Sequence, residues 1–86
     1  MSKFKVVSGE YQVIVHEATF DKAGDLAIKI HHQSNSSFAL GTLTMVEKLD
    51  QDSQSTEDMA FFGTENLINN TAEIGVRIGQ YLPKNN

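Results

Sequence analysis

Three histidines, His16, His31 and His32, are the side chains best suited to metal or proton chemistry in this sequence. Histidine is a common metal ligand and can act as an acid or a base near neutral pH. The pair His16-Glu17 begins like the zinc-protease motif His-Glu-x-x-His, but the second histidine position is Phe20. That motif also requires a helix, whereas this segment has strand character. We therefore do not predict a zinc-protease site.

A hairpin register would bring two of the histidines together. If Phe20 pairs with Leu26 across a five-residue loop, His16 and His32 share one face of adjacent strands, about 7–8 Å apart on the diagonal. His31 points the other way, so no third ligand converges. A small ligand-binding or enzymatic site using His16 and His32 is one hypothesis, and ordinary strand histidines are the simpler interpretation. No metal or cofactor is predicted.

Acidic residues are concentrated between positions 47 and 58. With one base, Lys48, this segment sums to −4, which equals the net charge of the whole chain. Such a surface speeds association with a basic protein. Without a basic patch, direct binding to nucleic acid or to an anionic membrane is not expected. The acidic residues are Glu47, Asp50, Asp52, Glu57 and Asp58.

The same acidic residues alternate like the ligands of a calcium loop, but the pattern is incomplete. A calcium loop that starts at Asp50 needs glycine at its sixth position and glutamate at its twelfth. Those positions are Ser55 and Phe61. A solvated acidic connector is therefore predicted.

Two adjacent phenylalanines, Phe61 and Phe62, cannot both face the core from one short helix. One of them is expected to contribute to an exposed apolar patch, which would indicate an interface. The alternative is that the second phenylalanine packs under a helix or against the sheet.

The composition bounds the class of protein. The chain has 86 residues, of which 40% are hydrophobic, and a chain of this length is expected to form one domain over residues 1–86. It has no cysteine, so disulfides and thiolate metal sites are excluded and a reducing cytoplasm is expected. No signal peptide and no apolar run of the ~20 residues needed to span a membrane is recognised.

Residue patterns predict an antiparallel sheet. Tyr11–Phe20 and Leu26–Gln33 are predicted to form a hairpin, because both are rich in β-branched or alternating apolar residues. Phe38–Glu47 is predicted as a third long strand, and Lys3–Val7 as a short one.

Two helical segments are expected after the strands. Ser55–Phe62 is predicted to be a short helical turn with Ser55 as its cap. Thr64–Leu82 is predicted to be a long amphipathic helix that ends before Pro83. The alternation over 72–78 also suits a strand, which is the weaker interpretation. The predicted fold is α+β: an antiparallel meander of three to four strands, a short helical turn, and one long C-terminal helix packed on the sheet.

Three functional hypotheses follow. The first is a non-catalytic interaction module, such as an inhibitor or immunity-type protein, that presents the acidic residues and the phenylalanines to a basic partner. The second is the ligand or enzymatic site built on the two histidines. The third is a structural subunit of a homo-oligomer, joined through sheet edges or the Phe61-Phe62 patch.

Overall fold

A computed structural model describes residues 1–67 of the chain. These residues form a four-stranded antiparallel sheet with a helix packed on one face, so the α+β class is confirmed. Of the long helix predicted for 64–82, the structure describes residues 64–67, which are helical. The rest of that prediction, with the alternative strand at 72–78, lies outside the described residues. The elements are β1 (Ser2–Ser8), β2 (Tyr11–Glu17), α1 (Phe20–Gln33), β3 (Leu43–Leu49) and β4 (Ser55–Gly63).

The strand order is β2-β1-β3-β4, which differs from the predicted meander. Two hairpins, β1–β2 and β3–β4, are connected by α1, and the connection places β3 beside β1 rather than beside β2. The central strands are therefore β1 and β3, with Val6 opposite Val46 at the middle of their ladder. Strands β2 and β4 form the two edges.

The first hairpin turns through Gly9 and Glu10, between the paired residues Ser8 and Tyr11. Gly9 has φ +59°, which is the pattern of a two-residue type II′ turn with glycine at its first central position. A Cβ on Gly9 would lie 2.6 Å from the Ala39 carbonyl oxygen. Backbone conformation and close packing therefore both require glycine here.

The predicted strand Leu26–Gln33 is wrong, because these residues belong to α1. The Thr19 hydroxyl caps α1 by accepting a hydrogen bond from the Lys22 amide at 3.4 Å. Ala23 and Ala27, one turn apart, are fully buried against the sheet. Small residues at this spacing let the helix backbone approach the strands closely, and this packing outweighs the short alternation that suggested a strand.

The predicted helical turn Ser55–Phe62 is also wrong, because it is strand β4. Its polar start forms a bulge: the register shifts beside Lys48 and Leu49, and Glu57 has φ +65°. Ladder hydrogen bonds to β3 therefore override the local capping pattern. The strand predicted for Phe38–Glu47 has different bounds in the structure. Strand β3 begins at Leu43 and ends at Leu49.

The core lies between α1 and one face of the sheet. Phe4, Val6 and Val46 are almost completely buried there, and the Phe4 ring contacts the Phe20 ring of α1 edge-on at 4.9 Å. Because strand side chains alternate between faces, their neighbours point to the opposite side of the sheet, which α1 does not cover. We call this side the open face. It carries Lys3, Lys5, Val7, Gln12, Ile14, His16, Leu43, Met45, Glu47, Met59 and Phe61.

No helix within the described residues is long and apolar enough to cross a membrane.

Candidate functional site

An apolar patch lies on the open face of β3 and β4. Leu43 and Phe61 are each 62% exposed, and Met59 is 40% exposed. Met45 is paired directly with Phe61, and residues paired in this way have Cβ atoms about 4.5–5.5 Å apart, with diagonal neighbours slightly further. The four side chains therefore form one continuous surface, which we call the β3–β4 patch.

The two predicted phenylalanines have different environments. Phe61 belongs to the β3–β4 patch, whereas Phe62 is opposite Thr44 and packs against the core beneath α1. Alternation along β4 explains this difference, since adjacent strand residues point to opposite faces.

An ion pair with one buried member lies beside the β3–β4 patch. Lys5 Nζ is 3.5 Å from Glu47 Oε1, and the Glu47 side chain is only 8% exposed. The Ser55 hydroxyl donates a hydrogen bond to the other Glu47 carboxylate oxygen. Glu47 was predicted to be part of an interaction surface, but in this structure its charge is already paired and hydrogen-bonded within the chain.

Asp50 organises the connector between β3 and β4. Its Oδ1 atom accepts hydrogen bonds from the amides of Asp52 at 2.8 Å and Gln54 at 2.9 Å. Lys3 Nζ donates to the Ser53 hydroxyl at 2.8 Å and to the Gln51 carbonyl at 3.3 Å. The acidic connector is thus a hydrogen-bonded loop held to β1 by a lysine.

The remaining acids are exposed but do not share one face. Asp52 lies at the tip of the connector, and Glu57 lies in the bulge of β4. Asp58 is exposed opposite Lys48, and Lys48 is paired with Phe4 of the covered face. The predicted acidic residues are therefore spread over the end of the sheet where the connector lies, and Glu57, in the bulge, is two residues before Met59 of the β3–β4 patch.

The structure separates the histidines by element. His16 is exposed on the open face of β2, whereas His32 lies in α1, on the other side of the sheet. The register that would have paired them depends on a strand at Leu26–Gln33, which is helical. His31 Nε2 is 2.8 Å from the Phe38 carbonyl oxygen, and its ring contacts the Tyr11 ring at 4.7 Å.

A solvent-open concavity of about 480 Å³ lies beside His16, between Lys3 and Asp50. The Lys3 ammonium is engaged by the connector, and Asp50 closes the same loop. Within residues 1–67, no group of three or more histidine, aspartate or glutamate side chains is placed to hold a metal ion.

A buried hydroxyl cluster of Ser8, Thr44 and Thr64 was not predicted from the sequence. Thr44 Oγ1 is 3.0 Å from Ser8 Oγ and 2.8 Å from Thr64 Oγ1. Thr64 donates to the Gly41 carbonyl at 2.7 Å, and the Gly41 amide donates to Ser8 at 3.0 Å. Ser8 follows Phe4 and Val6 at the spacing of buried positions, which is the sequence pattern that could have indicated it. The cluster ties the segment before β3 to the sheet and to the residues that follow β4.

Comparison of the chain with protein-family models, with curated proteins and with solved structures found no match.

Proposed function

We propose that the protein is a non-catalytic interaction module that binds a basic protein through the β3–β4 patch and the acidic residues beside it. The observation that carries this proposal is the exposure of Phe61 and Leu43 at adjoining positions on a sheet face that α1 leaves open. An inhibitor or immunity-type role, in which the module occupies a basic surface of an enzyme, is the specific form that we favour.

The patch has the chemistry of the centre of an interface. Phenylalanine and methionine are enriched in protein interfaces, and Phe61, Met59 and Leu43 present large apolar side chains that a partner could cover. Their burial would provide affinity, since each large apolar side chain that is fully buried contributes about 1.5–3 kcal/mol.

The acids would act mainly on the rate of association. Asp52 and Glu57 are exposed at the connector end of the sheet, and charges outside the buried centre of an interface steer a partner of opposite sign and contribute less to the final affinity. The buried polar groups support the structure instead. Glu47 is neutralised by Lys5, and the hydroxyls of Ser8 and Thr44 are inaccessible to a substrate.

One further prediction belongs to this proposal. We propose that the module acts in the cytoplasm, which agrees with the absence of cysteine from its sequence.

Site-specific crosslinking tests the proposed interface. A benzophenone amino acid placed at Phe61 should crosslink, in cells of the source organism, to one protein with a net positive charge. The matched control places the same group at Gln12, which is exposed on the open face of β2, and should give no such product. The same partner at both positions, or an acidic partner at Phe61, would contradict the proposal.

The partner identified in this way then allows the electrostatic part to be measured. The double variant D52N/E57Q should slow association by about 10-fold at low salt and make the rate less dependent on ionic strength. The dissociation rate should change little, whereas F61A should increase it. Equal association rates for D52N/E57Q and the wild type would contradict the proposal that these acids speed association.

A further inference from the structure

The outer edge of β2 presents a defined set of main-chain groups. The two-residue turn makes Ser8 and Tyr11 the closing pair of the first hairpin, so Tyr11 directs its N–H and C=O groups toward β1. Hydrogen-bonding direction alternates along an antiparallel strand. The N–H and C=O groups of Gln12, Ile14 and His16 therefore point away from the sheet, and no strand within residues 1–67 pairs with them.

The opposite edge of the sheet differs in the features that normally prevent edge pairing. Strand β4 contains the bulge at Glu57 and carries the adjacent acids Glu57 and Asp58. Bulges and charged residues are devices that prevent sheet edges from joining. Strand β2 is paired along its whole length without a register shift, and its central residues Val13, Ile14 and Val15 are apolar and β-branched.

The sequence of β2 is complementary to itself about Ile14. In an antiparallel pair of two copies centred there, Ile14 faces Ile14, Gln12 faces His16, and Val13 faces Val15. This register places no like charges opposite each other, which would be destabilising in a cross-strand pair. The residues whose main-chain groups point outward also face one another in this register, so that all their hydrogen bonds can form.

We propose that the protein forms a two-fold symmetric homodimer through antiparallel pairing of β2 with β2 of a second copy. The product is a continuous eight-stranded sheet with an isologous interface. On the open face the two Ile14 side chains, each 46% exposed in the single chain, bury one another.

The covered side adds to this interface. Leu26 and Ile30 of α1 pack against the same core cluster as Val13 of β2, and all three are only partly buried. They lie on the flank of α1 opposite Ile28, which contacts Leu67. That flank faces β2, so the two helices border the symmetry axis.

The dimer goes beyond the interaction proposed for the β3–β4 patch and leaves that patch free. Strand β4 is the edge furthest from β2, so the two copies of Phe61 lie at opposite ends of the eight-stranded sheet. A bivalent module results, and a partner with two binding sites would be held with an increased apparent affinity.

Substitution at the symmetry axis tests the proposal. In I14E the new carboxylates of two copies face each other, whereas within one chain each faces Lys5, so the monomer should remain folded. Sedimentation between about 10 and 500 µM should show a wild-type dimer and an I14E dissociation constant raised at least tenfold. F61E is the matched control at the other edge and should leave the dimer unchanged.

Two results distinguish this interface from other ways of associating. An equimolar mixture of I14E and I14K should form a heterodimer, because the charges at the axis are then opposite. Amide hydrogen exchange of the wild type should slow with concentration at Gln12, Ile14 and His16, but not at Val13 and Val15, which already bond to β1. A monomeric wild type, a dimer lost in F61E but kept in I14E, or no residue-specific protection would overturn the proposal.

Discussion

The two faces of the sheet are built from the same strands but are organised differently. On the covered face, Val6 and Val46 are completely buried and every hydroxyl of the Ser8–Thr44–Thr64 cluster has a partner. On the open face, an ion pair with one buried member lies beside exposed side chains such as Phe61. Within residues 1–67 the covered face therefore contains the core, whereas the open face leaves large apolar side chains exposed.

The largest expected effect compares two phenylalanines on opposite faces. Phe4 is 1% exposed and contacts Phe20, so F4A should reduce the free energy of unfolding by about 3–5 kcal/mol. Phe61 is mostly exposed, and F61A should cost less than about 1 kcal/mol. Urea denaturation of both variants measures this difference, and similar losses would show that the faces are not distinct in stability.

Substitutions in the Lys5–Glu47 ion pair test whether the open face also contributes to the free energy of unfolding. K5M leaves the carboxylate of Glu47 buried without its counterion but with its hydrogen bond from Ser55, so the cost should be about 3 kcal/mol, the lower end for a broken buried pair. E47Q leaves Lys5, whose side chain is 33% exposed and can reach water, so its cost should be nearer 1 kcal/mol. The K5M/E47Q double variant should be less destabilised than the sum of the two. An additive result would mean that the pair contributes no coupling energy.

The hydroxyl cluster gives a smaller effect. T44V removes a buried hydroxyl that bonds to both Ser8 and Thr64, and we expect a loss of about 1–2 kcal/mol. T42V is the control, because Thr42 is exposed, and it should change stability by less than about 0.5 kcal/mol. Thermal unfolding of the two variants compares them directly, and equal melting temperatures would contradict the structural role of the cluster.

The smallest effect depends on pH. Burial, with a further contribution from the charge of Asp21, raises the pKa of Asp25 to about 6, and one Asp25 oxygen is buried without a hydrogen-bond partner in the described part of the chain. A raised pKa means that the neutral acid is favoured on folding. The stabilisation is therefore complete below the unfolded value, 3.8, and is lost as the pH rises through about 6.

The variant D25N remains neutral at every pH and tests this sign. It should be more stable than the wild type at pH 7–8 by up to about 1 kcal/mol, a value reduced for solvent screening of a half-buried group. The difference should vanish near pH 4. Urea midpoints measured across this range provide the comparison, and a constant difference between the two proteins would refute the assignment to Asp25.

Local sequence patterns are sufficient for strands β1 and β2 but not for their pairing or for α1. Strand β2 starts at Tyr11 as predicted, because its β-branched residues are consecutive, but it ends at Glu17 rather than at Phe20, which begins α1. In α1 the helical stripe depends on Ala23, Gly24 and Ala27. These small residues give a weak hydrophobic signal, and the stronger alternation of larger residues suggested a strand.

The sequence predicts only those features of the candidate site that depend on residues adjacent in the sequence. That one of Phe61 and Phe62 is exposed follows from their adjacency, but which one depends on the register of β4 with β3. The burial of Glu47 depends on Lys5, which is opposite it across the β1–β3 ladder. Contacts between residues so far apart in the sequence leave no local pattern, so the sequence alone does not distinguish Glu47 from the exposed acids.

The strand order has a consequence for the kinetics of folding. Both hairpins and α1 consist of residues close in the sequence, and such units form on a timescale of about 0.1–10 µs. The β1–β3 ladder instead joins Lys3 to Leu49 and Ser8 to Thr44, so its first contact requires closure of a loop that contains both β2 and α1. Closure of such loops is the entropic barrier that makes proteins with distant contacts fold slowly. We therefore expect the transition state to be the docking of two preformed hairpins, with Val6 and Val46 already in contact while the ends of the central ladder are still open.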